Sequence, residues 1–210
     1  MDKYRIDAHK LIYHPERVSD WLNGKDIYPV YAELSPSGAC NHRCSYCALD
    51  FMDYKPRFLD AGILMTRLKE MAGLGLKSVM FAGEGEPFLH PDMAGISVHA
   101  NKCGLDTSFT TNATLMKPAI IDKILPTTSW IKASINGATP VTYGQIHRCN
   151  PSDFAEVFEN LGYAAALKKK KKYACALGMQ LVLLPENARE AVDLARKARD
   201  AGMDYLVIKP

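Results

Sequence analysis

The sequence has no long apolar run and no marked excess of one charge. A stretch of about 18 apolar residues, the length of a membrane span, does not occur among its 210 residues. The segment Met1 to Asp7 has no apolar core of the kind found in signal peptides. We therefore expect a cytoplasmic protein with no membrane partner. The net charge of +3 is too small to indicate a polyanionic partner.

The one run of like charge is Lys168 to Lys172. It lies late in a helical pattern, and no aromatic platform or groove-reading motif accompanies it. We interpret it as a solvated helix face, so nucleic acid is not an expected partner. Apart from this run, the sequence has no low-complexity segment, internal repeat or long linker.

Cysteine is sparse outside one short segment. Cys40, Cys44 and Cys47 lie within eight residues and form a C-x3-C-x2-C motif after an apolar run. In a reducing compartment such cysteines are expected to be metal ligands rather than disulfides. A [4Fe–4S] cluster held by three thiolates keeps one iron open, and an open iron can bind and reduce a ligand. The remaining cysteines are scattered and are expected to be buried or free thiols: Cys103, Cys149 and Cys175.

Apolar runs alternate with helical patterns along the chain. Six runs predict strands at Pro29–Leu34, Ser78–Ala82, Leu105–Thr110, Trp130–Ile135, Met179–Leu184 and Tyr205–Ile208. Helices are predicted at Ala61–Leu74, Pro91–Lys102, Pro118–Leu125, Ser152–Lys170 and Ala188–Ala201, with Pro91 in the first turn of its helix. This order implies a parallel sheet covered by helices. Six units are too few for a closed eight-stranded barrel. We predict an α/β fold, a partial (β/α)6 TIM-like barrel with parallel strands.

The two ends of the chain allow a prediction of its organisation. Residues 1–28 are expected to form an N-terminal extension, and residues 29–210 the core domain. The extension could lie on the substrate side of the barrel or cover its bottom. No helix follows the sixth strand before Pro210, so one interpretation is that the chain is the front part of a longer protein.

Polar or glycine-rich segments follow five of the predicted strands. The cysteine motif follows the first, and the others are Gly83–Pro87, Thr111–Asn112, Ser134–Gly137 and Pro185–Asn187. Each alone could be an ordinary turn or cap. Because ligands bind at the carboxyl ends of parallel strands, their shared position opposite three cysteines favours one functional site.

On these residues the chain resembles the radical S-adenosylmethionine (radical SAM) enzymes. The C-x3-C-x2-C signature of that superfamily is present, with aromatic Tyr46 just before the third cysteine. The glycine-glycine-glutamate-proline stretch of the family matches Glu84–Pro87, with Glu84 in place of the first glycine. The resemblance extends from about Pro29 to Pro210. It implies a [4Fe–4S] cluster, S-adenosylmethionine, and an electron donor such as flavodoxin or ferredoxin.

The resemblance also implies a reaction and residue roles. The cofactor is cleaved to methionine and a 5′-deoxyadenosyl radical, which abstracts hydrogen from a substrate. The cluster would be held by Cys40, Cys44 and Cys47, and its fourth iron by the amino and carboxylate groups of the cofactor. Tyr46 would lie against the adenine, in a pocket lined by Val182 and Leu183 or by the Ile208 strand. Gly85 and Glu86 would meet the methionine amino group, and Asn112, Ser134 and Asn136 the ribose or carboxylate. Arg148 would pair with the carboxylate, unless it is a surface residue. No catalytic residue is predicted.

The sequence leaves alternatives open. A small-metabolite or sugar substrate is favoured over a peptide-modifying maturase, because no winged peptide-binding segment is recognisable at the N-terminus. His42 could complete a Cys3His zinc site in a non-catalytic zinc or iron–sulfur module, but zinc would not explain the polar strand ends. The other histidines lack metal-like spacing and are expected to be structural or exposed: His9, His14, His90, His99 and His147.

Overall fold

The computed structural model describes residues 10–49 and 56–210. They form one sheet of six parallel strands, in spatial order of the sequence: β1 Tyr31–Leu34, β2 Ser78–Phe81, β3 Asp106–Thr111, β4 Thr128–Ser134, β5 Ala176–Val182 and β6 Tyr205–Lys209. The helices are α1 Pro15–Leu22, α2 Ala61–Gly73, α3 Met93–Lys102, α4 Pro118–Ile124, α5 Pro140–His147, α6 Asp153–Lys171 and α7 Ala191–Asp200. The first and last strands do not pair, so the sheet is open. Predicted His9 lies outside the described residues.

The predicted six-stranded α/β architecture is confirmed. Each strand pairs in parallel with the next, as successive right-handed βα units require. The predicted position of Pro91 in the first turn is wrong: α3 begins at Met93, after the N-cap Asp92. The fifth strand also begins three residues earlier than predicted, at Ala176. No helix among the described residues is long and apolar enough to cross a bilayer.

Two helices, α1 and α5, were not predicted from the sequence. The second matters for the site. It begins with Pro140, and the side chain of Thr139 caps it by accepting a hydrogen bond from the backbone N–H of Thr142. This threonine-proline pair is a start signal that could have revealed the helix. The helix ends at His147, and its C-cap, Arg148, adopts a left-handed conformation with φ 47°.

The hydrophobic core lies between the convex face of the sheet and the helices. Phe81, Phe109 and Ile131 occupy matching positions on adjacent strands and are at most 1% exposed. Leu68 of α2 and Ile96 of α3 belong to the same core and are fully buried. Because side chains alternate along a strand, this burial assigns the other residues of each strand to the concave face.

The concave face of the sheet extends from a cavity at the bottom of the barrel to the carboxyl ends of the strands. Trp130, Lys132 and Ser134 follow one another on this face of β4. At the bottom, Leu11 and Ile27 of the N-terminal segment line a cavity together with Trp130. The described part of this segment therefore covers the bottom of the barrel, one of the two predicted positions. The domain division at residue 28 remains a prediction.

Candidate functional site

A cavity of about 180 Å³ lies at the carboxyl ends of the first four strands. The parallel topology brings eight of the ten predicted site residues to its wall. These are Cys40, Cys44, Cys47, Tyr46, Gly85, Glu86, Asn112 and Ser134. The other two predicted residues, Asn136 and Arg148, do not line it.

The cysteine loop is held by the end of α5. The backbone N–H of Arg43 donates to the carbonyl of His147 at 3.0 Å, and that of Ser45 donates to the carbonyl of Ile146 at 2.8 Å. Within the loop, the N–H of Cys47 donates to the carbonyl of Cys44 at 3.0 Å. A helix that the sequence analysis missed thus supports the predicted metal-binding loop.

Gly85 lies where the loop after β2 passes against the cysteine loop. A side chain there would place its Cβ 2.4 Å from the carbonyl oxygens of Ser37 and Ala39, and φ is +76°. The next residue, Glu86, donates its backbone N–H to the carbonyl of Ala39 at 2.8 Å. Close approach of two backbones therefore requires glycine at this position, whatever its contact with a cofactor.

Glu86 is a buried carboxyl with three hydrogen-bond donors around it. Oε1 accepts from the Thr111 hydroxyl at 2.6 Å and from the N–H of Phe88 at 3.2 Å, and Oε2 accepts from the N–H of Asn112 at 2.8 Å. Burial raises the pKa of Glu86 to about 7, although these hydrogen bonds act in the opposite direction. The carboxyl is thus fixed in position between β2 and β3.

Asn112 connects the end of β3 to the cysteine loop. Its Nδ2 donates to Oδ1 of Asn41 at 2.8 Å, and its Oδ1 accepts from the hydroxyl of Thr114 at 2.7 Å. Asn41 Nδ2 in turn donates to that hydroxyl at 2.8 Å. This closed network orients Asn112 at the cavity wall.

Asn136 lies behind the cavity and bonds to Tyr46, which lines it. Asn136 is fully buried, its Nδ2 donates to the Tyr46 hydroxyl at 2.5 Å, and its Oδ1 accepts from the N–H of Val182 at 2.7 Å. Both ends of the amide therefore have protein partners. The predicted contact of Asn136 with a ribose or carboxylate stays a prediction; in the structure its amide bonds to Tyr46 and to the backbone of Val182.

The segment after β5 does not reach the cavity, against the expectation that five segments converge. Asn187 is buried, and its Nδ2 donates to the carbonyls of Asn136 at 3.1 Å and Val182 at 2.9 Å. It ties the ends of β4 and β5 together. Ile208, a predicted adenine neighbour, is 48% exposed.

The cysteines of the motif are partly buried free thiols. Burial raises the pKa of Cys40, and it raises the pKa of Cys44 to about 12. Without a metal these two thiols are therefore protonated near neutral pH, and metal binding must release their protons. Cys103, Cys149 and Cys175 form no disulfide bond. Their assignment as buried or free thiols stays a prediction, and Cys149 lies in one group of possible ligand atoms with His42 and Asp153.

The arrangement of ligand atoms bears on the zinc alternative. Within residues 10–49 and 56–210, the sulfur atoms of the motif do not form a group in which all atoms lie within 4.8 Å of one another. A tetrahedral zinc ion needs its ligands closer than that, whereas a cluster of four irons spans a larger distance. His42 Nε2 lies 3.3 Å from Asp153 Oδ2. His42 also forms, with Cys44 and His147 but not with Cys40 or Cys47, a group of possible ligand atoms within 4.8 Å of one another. The geometry fits a cluster better than a Cys3His zinc site.

His147 lines the cavity although the sequence analysis expected a structural or exposed residue. It is 1% exposed, and its Nδ1 lies 3.4 Å from Sγ of Cys44. Burial, and next the neighbouring His42, lower the pKa of His147 to about 3, so the ring is neutral. The two residues are 103 positions apart, and no spacing pattern could have revealed this contact.

Lys132 lies on the concave face, where it lines the cavity at the bottom of the barrel and not the cavity at the carboxyl ends of the strands. Lys132 precedes Ser134 by two residues on the same face of β4, and its Nζ is 5.5 Å from the centroid of the Trp130 ring. Burial, and next the Lys209 ammonium, lower the pKa of Lys132, while Glu33 raises it. Gln180 pairs with Ser134 across β4 and β5, and its Oε1 is buried with no hydrogen-bond partner in the described part of the chain.

A sequence profile of the Radical SAM superfamily matches residues 34–198. The chain is 38% identical over 90 residues to GTP 3′,8-cyclase of Stenotrophomonas maltophilia strain R551-3, covering 41% of this chain and 27% of that protein. It is 26% identical over 166 residues to the S-adenosylmethionine-dependent nucleotide dehydratase of Selenomonas ruminantium, covering 77% and 59%. The chain thus spans less than two thirds of these relatives.

The fold is also similar to that of Streptococcus suis SuiB. The crystal structure of SuiB bound to S-adenosylmethionine has a TM-score of 0.73 and 17% sequence identity, covering 94% of this chain and 44% of SuiB. The structure of SuiB bound to precursor peptide SuiA has a TM-score of 0.74 and 16% identity, covering 94% and 43%. At this identity the likeness concerns the fold.

Proposed function

The chain belongs to the radical SAM superfamily of enzymes, and we propose that it reductively cleaves S-adenosylmethionine at the described cavity to a 5′-deoxyadenosyl radical that abstracts a hydrogen atom from an anionic small molecule, giving 5′-deoxyadenosine and a substrate radical. One observation carries the proposal: three free cysteines, the fixed Glu86 carboxyl and the oriented Asn112 amide face the same cavity.

The residues fit the group that the family implies. The proposed ligands of the [4Fe–4S] cluster are Cys40, Cys44 and Cys47, three thiols in one cavity with an arrangement too wide for a single ion. A cluster with an open iron and bound S-adenosylmethionine supplies one-electron cleavage of a carbon–sulfur bond, giving methionine and a 5′-deoxyadenosyl radical. The electron would come from a donor of the flavodoxin or ferredoxin class.

The protein residues orient the cofactor and keep it in place. We assign Gly85 and Glu86 to the methionine amino group, because a fixed, buried carboxyl favours a cation beside it. Asn112 and Ser134 would contact the carboxylate or ribose. Tyr46 would lie against the adenine, oriented by Asn136. Arg148, which is outside the cavity wall, could act only on a cofactor that extends past it.

The substrate proposal rests on the charges of the concave face. Lys132 makes no ion pair in the described part of the chain, and a second ammonium, Lys209, lies on the same face of β6. Glu33 partly offsets their charge. Ser134 lines the site cavity and Lys132, two residues earlier on β4, lines the cavity at the bottom of the barrel. A phosphate or carboxylate that extends from Ser134 towards the bottom of the barrel would find a charged donor in Lys132. Relatives named for GTP and for a nucleotide support a phosphorylated nucleotide within the predicted small-metabolite class.

The test is formation of 5′-deoxyadenosine under anaerobic conditions. The reconstituted protein is incubated with S-adenosylmethionine and dithionite, and the product is measured by liquid chromatography and mass spectrometry. We expect product from the wild type and none from Cys44→Ala. The matched control is Cys103→Ala, which removes a free thiol outside the cavity and should keep the activity.

Three results would contradict the proposal. Equal product from wild type and Cys44→Ala would mean that the motif does not hold the cluster. Zinc in place of iron, with no charge-transfer absorbance, would favour the binding module. Faster 5′-deoxyadenosine formation with peptides than with nucleoside triphosphates would favour a peptide-modifying maturase.

A further inference from the structure

His147 is held between the cysteine loop and the end of β4. One ring nitrogen, Nδ1, lies 3.4 Å from Sγ of Cys44. The other, Nε2, lies 3.1 Å from the backbone nitrogen of Asn136. The ring also stacks on Tyr143, with centroids 4.2 Å apart, and makes an edge contact with His42 at 5.2 Å. These contacts fix both its position and its orientation.

The neighbours of Nε2 determine which nitrogen carries the proton. A backbone N–H can only donate, so Nε2 must accept the hydrogen bond from Asn136. The side-chain Nδ2 of Asn136, 3.4 Å away, presents a second donor to the same atom. A neutral imidazole has one N–H, and here it must be on Nδ1. Nδ1–H therefore points at the sulfur of Cys44.

We propose that His147 is a positioning residue that donates an Nδ1–H···S hydrogen bond to the Cys44 thiolate and thereby raises the reduction potential of the bound cluster. This inference rests on the proposed function, because it requires Cys44 to be a cluster ligand. Hydrogen bonds to the sulfur atoms of a cluster offset the negative charge that reduction adds. They therefore stabilise the reduced cluster more than the oxidised cluster, which raises the reduction potential. The backbone N–H of Asn136 acts one step further out, by keeping the proton on Nδ1.

The contact also explains why the cysteine loop is fastened to α5. The carbonyl of His147 accepts the N–H of Arg43 at 3.0 Å, and that of the preceding Ile146 accepts the N–H of Ser45 at 2.8 Å, so the end of α5 holds the loop on either side of Cys44. The donor and the ligand therefore move together. A reduction potential set by this hydrogen bond would be insensitive to shifts of the loop.

The first test is the nitrogen chemical shifts of the imidazole, measured by NMR on the metal-free protein. We expect the signature of a neutral ring protonated at Nδ1. A ring protonated at Nε2 would overturn the proposal. This measurement needs neither the cluster nor activity, so it can fail while the proposed function holds.

The second test is a redox titration of the reconstituted cluster, followed by electron paramagnetic resonance. His147→Leu removes the donor, and we expect the ratio of reduced to oxidised cluster at a fixed potential to fall on the order of tenfold. His147→Asn, which restores an N–H near the position of Nδ1, should recover part of the loss. If His147 had only a structural role, the reduction potential of the cluster would not depend on whether residue 147 carries an N–H donor.

The matched control is His90→Leu. His90 is also buried, its Nδ1 accepts from the N–H of Asp92 and its Nε2 faces the carbonyl of Leu59, but it does not line the cavity. We expect no shift of potential from this change. Equal potentials for the wild type and His147→Leu would overturn the proposal. Failure of the wild type to bind iron would overturn the proposed function, and the tuning role with it.

Discussion

The hydroxyl of Thr111 donates a 2.6 Å hydrogen bond to the buried carboxyl of Glu86 and joins the end of β3 to the loop after β2. Two backbone N–H groups complete the contacts of this carboxyl. The arrangement holds an acidic group at the cavity wall while burial keeps its pKa near 7. It has a measurable consequence for stability.

Glu86 should make the metal-free protein less stable as the pH rises. Its pKa is raised from 4.5 in the unfolded chain to about 7 in the fold, so the folded state binds more protons between these values. Glu86 contributes roughly 3 kcal/mol to the free energy of unfolding below about pH 4.5. This contribution is lost as the pH rises to about 7. Urea unfolding of Glu86→Gln between pH 5 and 7.5 should show a flatter profile than wild type. An unchanged slope would contradict the assignment.

Gly85→Ala should destabilise the protein and reduce its iron content. The added Cβ meets two carbonyl oxygens at 2.4 Å, in addition to the strain of a positive φ. The control is Gly104→Ala, where φ is +87° and nothing lies within 4 Å, so only the strain operates. We expect roughly 1 kcal/mol of lost stability for the control and a cost of more than 3 kcal/mol at Gly85. Urea unfolding and iron analysis after reconstitution measure both effects; equal losses at the two sites would refute the predicted clash.

Tyr46→Phe should weaken the binding of S-adenosylmethionine a few-fold. The change removes the hydroxyl that accepts a hydrogen bond from Asn136, at a cost of about 1 kcal/mol, and frees the ring from its fixed orientation. Tyr163→Phe is the matched control, because that hydroxyl bonds to Asp122 on the surface. Equilibrium dialysis with the reconstituted protein gives both affinities. If the two variants bind equally well, Tyr46 does not contact the cofactor in the proposed way.

Lys132→Met should reduce the affinity for a nucleoside triphosphate about tenfold, since a desolvated charge-assisted contact is lost. Binding of GTP is measured from the shift in unfolding temperature that it produces. Lys123→Met removes an exposed lysine from the last turn of α4 and should leave binding unchanged. Equal binding by all three proteins would place the anion elsewhere, and no binding by wild type would argue against a nucleotide substrate.

Local sequence patterns predicted the strand order and most of the site. Alternating apolar and helical segments determine a parallel sheet, since only right-handed βα units connect such strands, and the sheet places every strand end on one side. That rule was enough to bring Cys40, Glu86 and Asn112 to one cavity. The helix α5 was missed because it is short and its residues Gly144 and Tyr143 are buried, which obscures any polar face.

The sequence by itself determined the cysteine motif, the glutamate beside it and the side of the sheet on which they meet, because each depends on spacing within one segment and on the regular geometry of parallel strands. Only the tertiary structure decided the partners that orient these groups. Asn136 bonds to Tyr46 across 90 positions, and His147 meets Cys44 across 103. Such contacts depend on how the segment after β4 and the helix α5 pack against the cysteine loop, and no local pattern encodes that packing.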